Sequence, residues 1–166
     1  LGVRMLDGSG RFLPESKRSF PSPVASFYKL VGLSSVFPNS GIFNKYALGN
    51  LDENKNHEVD VLAGAFMLVR KALLTQLKGF DESYFLYGED VDLSYRLQKA
   101  GWQNYYFSET AIIHFKGESA DKKNLYHIKF FYSAILIFVK SQYTSGTAKW
   151  FGWCIRFAIM GRAVWS

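Results

Sequence analysis

The 166-residue chain contains a single cysteine, Cys154, and only four prolines. One cysteine excludes an internal disulfide framework and leaves no cysteine cluster for structural zinc. We therefore expect a reducing, cytoplasmic setting. Hydrophobic residues make up 48% of the chain and aromatic residues 17%, which is enough apolar material for the core of one domain of ordinary size.

Long apolar runs are also missing. The longest uncharged apolar-rich run, residues 130–139, has ten residues, whereas a transmembrane helix needs about twenty. No apolar segment with a charged lead opens the chain, so no secretory signal is visible.

Acidic residues are absent after Asp121, so residues 122–166 carry seven lysines and arginines and no carboxylate side chain. The same segment holds three of the four tryptophans. Apolar residues at helical spacing predict two amphipathic helices there, at 125–139 and 148–165. Basic and aromatic helices of this kind lie in membrane interfaces. The alternative is that they cover the domain, which we favour in part for 125–139. Nucleic acid is not favoured as a partner, since no recognised nucleic-acid module occurs.

Two adjacent carboxylates, Glu89 and Asp90, stand between an aromatic loop and a predicted helix at 89–100. Free N–H groups and the helix dipole favour negative charge in a first turn. Two interpretations follow: a helix cap, which is the commoner case on spacing alone, or a fixed catalytic base. Asp90 and Asp92 together spell an Asp-x-Asp motif. A metal-binding motif of this kind follows an apolar strand, whereas here a helical run comes after the two acids. We expect Asp92 to pair with Arg96 one helical turn later.

Local patterns predict the remaining elements. Strands are expected at 3–6, 58–62, 65–69, 102–107 and 111–115, with a turn at 108–110; helices at 24–31 and 71–78; and loops at 14–23 and 38–56. The alternation of strands and helices predicts an α/β half-domain.

Three blocks, at 64–70, 79–93 and 113–119, occur in an order and spacing that resemble the acceptor half of family 2 glycosyltransferases. These are bacterial inverting enzymes of the GT-A fold that include the rhamnosyltransferase-like group, and looser matches extend the resemblance over residues 1–143. The resemblance implies an α/β fold that consists of the C-terminal half of a GT-A-type mixed sheet with flanking helices. Two amphipathic C-terminal helices would follow it. We expect residues 1–121 to form the acceptor-side part of that domain and residues 122–166 a basic, aromatic helical tail.

The resemblance also implies roles for particular residues. Asp90 would be the general base on the acceptor hydroxyl, with Glu89 beside it, and His114 would be a ligand of a divalent metal, Mn²⁺ or Mg²⁺. The weaker substrate-binding candidates are Gly64, Ala65, Arg70, Tyr87, Trp102 and Lys116. For the two aromatic side chains among them, ordinary packing is an equal alternative.

The implied reaction is transfer of a sugar, with inversion, from a nucleotide-sugar donor to a cell-envelope polysaccharide or lipid-linked acceptor at the inner face of the cell membrane. The resemblance places the nucleotide-binding half, with the main metal ligands, before Leu1. The chain is therefore interpreted as a C-terminal fragment, which alone is expected to be inactive. The rival interpretation is a non-catalytic module that keeps the fold and binds membrane or polyanions.

Overall fold

A computed structural model describes residues 1–115 and, farther along, residues 130, 133, 134, 137 and 138. Its elements are β1 (Gly2–Leu6), a 3-10 turn (Pro14–Ser16), β2 (Lys17–Arg18), α1 (Pro23–Leu30), α2 (Leu33–Val36), β3 (His57–Val59), β4 (Val61–Leu62), α3 (Lys71–Gln76), α4 (Glu89–Lys99) and β5 (Asn104–Ile113). The described part is a mixed α/β fold, which confirms the predicted class.

Two small sheets organise the strands. The larger has the order β1–β5–β3, in which β1 runs parallel and β3 antiparallel to the central strand β5. The smaller pairs β2 with β4 in antiparallel fashion and sets Arg18 opposite Val61. The chain changes sheets at Asp60, whose backbone carbonyl accepts a hydrogen bond from Asn104 Nδ2 at 2.8 Å. The strand predicted at 58–62 is thus two short strands in different sheets.

The core lies between the sheets and α4. Leu62 and Tyr106 are fully buried and pack with Val59, while Leu93 and Leu97 of α4 pack on Leu73 of α3. Apolar residues of α4 recur at the spacing that places them on one face of a helix. Burial of the apolar stripe therefore sets the direction in which the polar side chains on the other face of α4 point.

The predicted turn at 108–110 is wrong, because β5 continues through it as one strand of ten residues. In the ladder with β1, Val3 lies opposite Phe107 and Arg4 opposite Ala111, so the residues between them bulge out of the pairing. The Ser108 amide donates to Asn56 Oδ1 at 2.7 Å. A bulge absorbs extra polar residues without ending a strand.

Two further predictions were wrong. Residues 65–69 form no strand, because the chain turns where the Phe66 amide donates to the Ala63 carbonyl at 3.1 Å. Residues 14–23 are not an irregular loop, since they contain the 3-10 turn, β2 and the start of α1. The predictions for β1, α1, α3, α4 and the loop at 38–56 are confirmed.

Most of the predicted C-terminal helical tail lies outside the described residues. The five described positions beyond residue 115 are helical, and Ala134 and Phe138 are buried. Phe138 packs in one cluster with Val61 and Val91. Across the described part of the chain, no helix has the length and hydropathy that crossing a bilayer requires.

Asn104 supplies a test of the fold. Its buried Nδ2 donates to the carbonyls of Asp60 and Ser94 at 2.8 and 2.9 Å. Replacing it by alanine should lower the free energy of unfolding by about 2 kcal/mol, because two carbonyls lose their shared donor. Urea denaturation of the 166-residue chain measures the change. Gln103→Ala is the matched control at an exposed neighbour, and it should change stability by less than about 0.5 kcal/mol; equal effects of the two variants would contradict the assigned bonds.

Candidate active site

The turn before α4 decides where its first two residues point. Tyr87 and Gly88 both have left-handed backbones, with φ of 68° and 84°, a conformation that costs free energy for a residue with a side chain. A Cβ on Gly88 would lie 2.9 Å from the Ala134 Cβ and 3.0 Å from the Tyr84 ring. This crowded turn delivers Glu89 and Asp90 to the helix in a fixed direction.

The Asp90 carboxylate is held from three sides. Its Oδ2 accepts from Arg18 Nη2 at 2.5 Å and from the Gly64 amide at 3.0 Å. Its Oδ1 accepts from the adjacent Val91 amide at 2.8 Å. Each carboxylate oxygen has two lone pairs, so Oδ1 keeps one for a further donor. Asp90 is therefore both oriented and able to accept a proton.

Arg18 reaches Asp90 from β2, and sequence reasoning did not find it. Its guanidinium also donates to the Leu62 carbonyl at 3.3 Å and meets the Tyr46 hydroxyl at 3.5 Å. Burial disfavours the charged form, but the Asp90 carboxylate and the Tyr46 oxygen outweigh it and raise the pKa of Arg18. The available sequence signal was indirect: the chain has no acidic residue between Glu15 and Asp52, so an arginine buried here needs a partner from a distant segment.

Glu89 has the opposite environment to Asp90. Burial, and after it the neighbouring negative charge of Asp90, raise the pKa of Glu89. Its Oε2 is buried and accepts no hydrogen bond from the described residues. A Cβ on Gly64 would lie 3.3 Å from the Asp90 Cβ and 3.7 Å from Glu89 Oε1. Both carboxylates thus face the turn that carries Gly64, and a glycine there leaves room beside them.

The other predicted binding residues form separate groups. Ala65 follows Gly64 in the same turn and is exposed, as is Tyr87. The Arg70 guanidinium lies 5.3 Å from the centre of the Trp102 ring, a cation–π distance, so these two residues contact each other. Lys116 lies outside the described residues.

Asp92 has a structural role, as predicted. Its Oδ2 accepts from Arg96 Nε at 2.6 Å, and the other Arg96 nitrogens donate to the carbonyls of Leu77 and Gly79. The pair therefore ties α4 to the end of α3.

His114 stands directly after β5, and its amide donates to the Leu6 carbonyl at the end of β1. A neutral imidazole is a common ligand of divalent metals, although oxygen ligands suit Mn²⁺ and Mg²⁺ better. However, no group of three potential metal-binding side chains converges anywhere in the described part of the chain. The described residues therefore do not by themselves build a metal centre around His114.

Comparisons with known proteins give these residues a context. Residues 48–126 match the family model described as glycosyltransferase-like family 2. N-acetylglucosaminyl-diphospho-decaprenol L-rhamnosyltransferase of Mycobacterium tuberculosis is 30% identical over 163 residues, which make up 98% of this chain and 52% of that protein. Rhamnosyltransferase WbbL of Escherichia coli K12 is 46% identical over 57 residues, 34% of this chain and 22% of that protein. No solved structure matches the chain significantly.

The chain spans about half the length of the M. tuberculosis relative that it matches. The residues matched to the family model include Gly64, Glu89, Asp90 and His114. On this evidence residues 48–126 are similar to glycosyltransferase family 2, and nearly the whole chain is similar to a rhamnosyltransferase.

Proposed function

We propose that this domain is the acceptor side of an inverting GT-A glycosyltransferase in which Asp90 is the general base. The observation that carries the proposal is the environment of Asp90: Arg18 and the Gly64 amide fix Oδ2, and Oδ1 keeps a lone pair for an acceptor hydroxyl. A general base is effective when it is ionised and held within hydrogen-bond reach of its proton. The Arg18 guanidinium and the Gly64 amide hold the Asp90 carboxylate in a fixed position.

In the proposed reaction, the acceptor O–H donates to Asp90 Oδ1 while the acceptor oxygen attacks the anomeric carbon of a nucleotide sugar. The bond from that carbon to the leaving oxygen breaks, and its electron pair departs with the nucleoside diphosphate. The proton remains on Asp90. A single displacement from the opposite face inverts the anomeric configuration. Arg18 holds the carboxylate in place, so little reorientation is needed during the reaction.

Glu89 supports the same assignment. A buried carboxylate oxygen that accepts no hydrogen bond from the described residues is costly for stability, and acids with raised pKa values are concentrated at functional sites. We assign Glu89 a role beside Asp90 in binding the acceptor, since its Oε1 faces the Gly64 turn next to Asp90.

The comparisons support a proposed class of acceptor. The M. tuberculosis relative is named as a rhamnosyltransferase for N-acetylglucosaminyl-diphospho-decaprenol, which supports a lipid-linked or cell-envelope acceptor and work at the inner face of the membrane for this chain too. Residues 122–166 would bind that membrane. We also propose that three further residues contact substrate: Arg70, Trp102 and Lys116.

His114 is retained as a proposed ligand of Mn²⁺ or Mg²⁺, and such a metal would offset charge on the departing diphosphate. Because the described residues provide no companion ligands, no step of the proposed reaction is assigned to the metal.

The first test replaces Asp90 by asparagine in the complete gene product. Transfer should fall by about 10²–10⁴-fold, since the amide cannot take the proton, while donor binding measured by calorimetry stays the same. Glu82→Gln, at an exposed carboxylate in the same loop region, is the control and should keep full turnover. Unchanged transfer by Asp90→Asn would remove Asp90 as the base and favour the non-catalytic module.

A second test measures the Arg18–Asp90 pair by a double-mutant cycle. Arg18→Met should destabilise the chain by about 3 kcal/mol because Asp90 is left buried without its partner. Adding Asp90→Asn should restore part of this loss, with a coupling energy of about 2 kcal/mol in urea denaturation. The matched cycle uses Arg4 and Glu53, a pair at 3.1 Å that is more exposed, and its coupling should stay below about 1 kcal/mol. Equal couplings in the two cycles would contradict the strong anchoring of Asp90.

A third test concerns the pH dependence of stability. Because the folded state raises the pKa of Glu89 above its ordinary value of 4.5, this residue favours folding at pH below 4.5, and that contribution is lost as pH rises through the folded pKa. Glu89→Gln should therefore raise the urea midpoint at pH 7, and the gain should vanish below about pH 4.5. The exposed control Glu82→Gln should show no such trend. A Glu89→Gln gain that does not depend on pH would refute the electrostatic cause.

A further inference from the structure

The segment from α1 to the turns after α2 exposes many large apolar side chains. Between 47% and 68% of the surface of each is exposed; the residues are Val24, Phe27, Val31, Val36, Phe37 and Ile42. Single exposed apolar residues are ordinary on protein surfaces, but six within nineteen residues form a patch of the kind that marks a binding surface. We refer to these six residues as the apolar face.

Ring contacts hold the apolar face together. Tyr28 of α1 contacts Phe43 at 5.2 Å between ring centres, and Phe43 contacts Phe37 at 5.2 Å. Phe27 also lies 6.2 Å from Tyr28. Val24, Phe27 and Val31 recur at positions i, i+3 and i+7, so they point to one side of α1 and its cap. Phe27 and Phe37 are thus linked through the rings of Tyr28 and Phe43.

The segment that carries the apolar face has charged side chains of one sign only. Residues 16–51 include no aspartate or glutamate, and their four charged residues are all basic. Lys17 and Arg18 are engaged inside the protein, where they contact the Leu48 carbonyl and Asp90. Lys29 and Lys45 are exposed. An apolar surface whose own segment adds the exposed lysines Lys29 and Lys45 complements the interface of an anionic bilayer.

We propose that the apolar face lies in the interface of an anionic lipid bilayer, with α1 parallel to the membrane plane. The eight residues of α1 are far too few to span a bilayer, and Gly32, with φ of 80°, ends the helix after them. Val24, Phe27 and Val31 enter the boundary of the acyl chains, while Lys29 and Lys45 meet lipid phosphates. The residues proposed to enter the bilayer belong to the segment at 24–45 and not to the tail at 122–166.

The apolar face is linked to the candidate active site through Tyr46. Lys29 Nζ of α1 lies 5.7 Å from the centre of the Tyr46 ring, and the Tyr46 hydroxyl accepts from Arg18, the partner of Asp90. Docking of α1 therefore brings Asp90 close to the membrane surface, where a lipid-linked acceptor presents its sugar. The approach of Asp90 to a lipid-linked acceptor rests on the proposed function, whereas the proposed lipid binding does not depend on it.

The experiment uses the 166-residue chain and vesicles of phosphatidylcholine with 30% phosphatidylglycerol. The variant Val24→Ser/Phe27→Ser should bind at least tenfold more weakly in sedimentation, because it removes apolar area from the contact. Its matched control is Leu68→Ser/Phe80→Ser, which removes apolar side chains of similar exposure elsewhere and should bind like the original chain. Pure phosphatidylcholine or high salt should weaken binding by the original chain.

A local probe separates this surface from the tail. In a Cys154→Ser background, Phe27→Cys labelled with an environment-sensitive fluorophore should shift to the blue and brighten when anionic vesicles are added. The same label on Thr110→Cys, an exposed position of β5, should not respond. Because neither measurement includes a sugar donor or turnover, their results are independent of the Asp90→Asn assay.

Three outcomes would overturn the proposal. Equal binding by the Val24→Ser/Phe27→Ser variant and its control would assign lipid binding to another part of the chain. A label at position 27 that is already shielded without vesicles and unchanged by them would show that another segment of the chain covers the face. Self-association of the original chain that the variant abolishes, without vesicle binding, would identify a second copy as the occupant.

Discussion

The ion pair between Arg18 and Asp90 is the interaction on which the described site depends. It joins β2 to the first turn of α4, and the Gly64 amide adds the turn after β4 to the same carboxylate oxygen. Side chains alternate between the two faces of a strand, so a slip of one residue between β2 and β4 would turn Arg18 away from Asp90. Desolvating both charges is costly. The geometry of the pair therefore selects a single register for the smaller sheet.

Elements with local signals could be predicted from the sequence. The apolar spacing of α4, Gly101 after it and the Asp92–Arg96 pair one turn apart all act within a dozen residues. β5 was misread as two strands because Ser108, Glu109 and Thr110 are typical of turns, and polar residues of the same kind also form bulges.

The partner of Asp90 could not be predicted in this way. Arg18 is 72 residues away in the chain and lies in a strand of two residues, which is too short to show a period of two. Family resemblance identified the adjacent pair Glu89 and Asp90, but not their unequal environments. These depend on burial and on a guanidinium that approaches only one of them. Likewise, Arg70 and Trp102 were each proposed to meet substrate, and their contact with each other appears only in three dimensions.

The close approach of Gly88 to Ala134 bears on the modularity of the chain. A charge-based boundary at residue 121 places Gly88 and Ala134 in different parts, yet a methyl group on Gly88 would overlap the Ala134 Cβ. Two small residues, 46 positions apart, thus act as one steric unit. Segments exchanged between related proteins would have to preserve both members together, because a larger residue at position 134 would displace the backbone that aims Glu89 and Asp90. Position 134 is therefore not independent of the turn that carries Glu89 and Asp90.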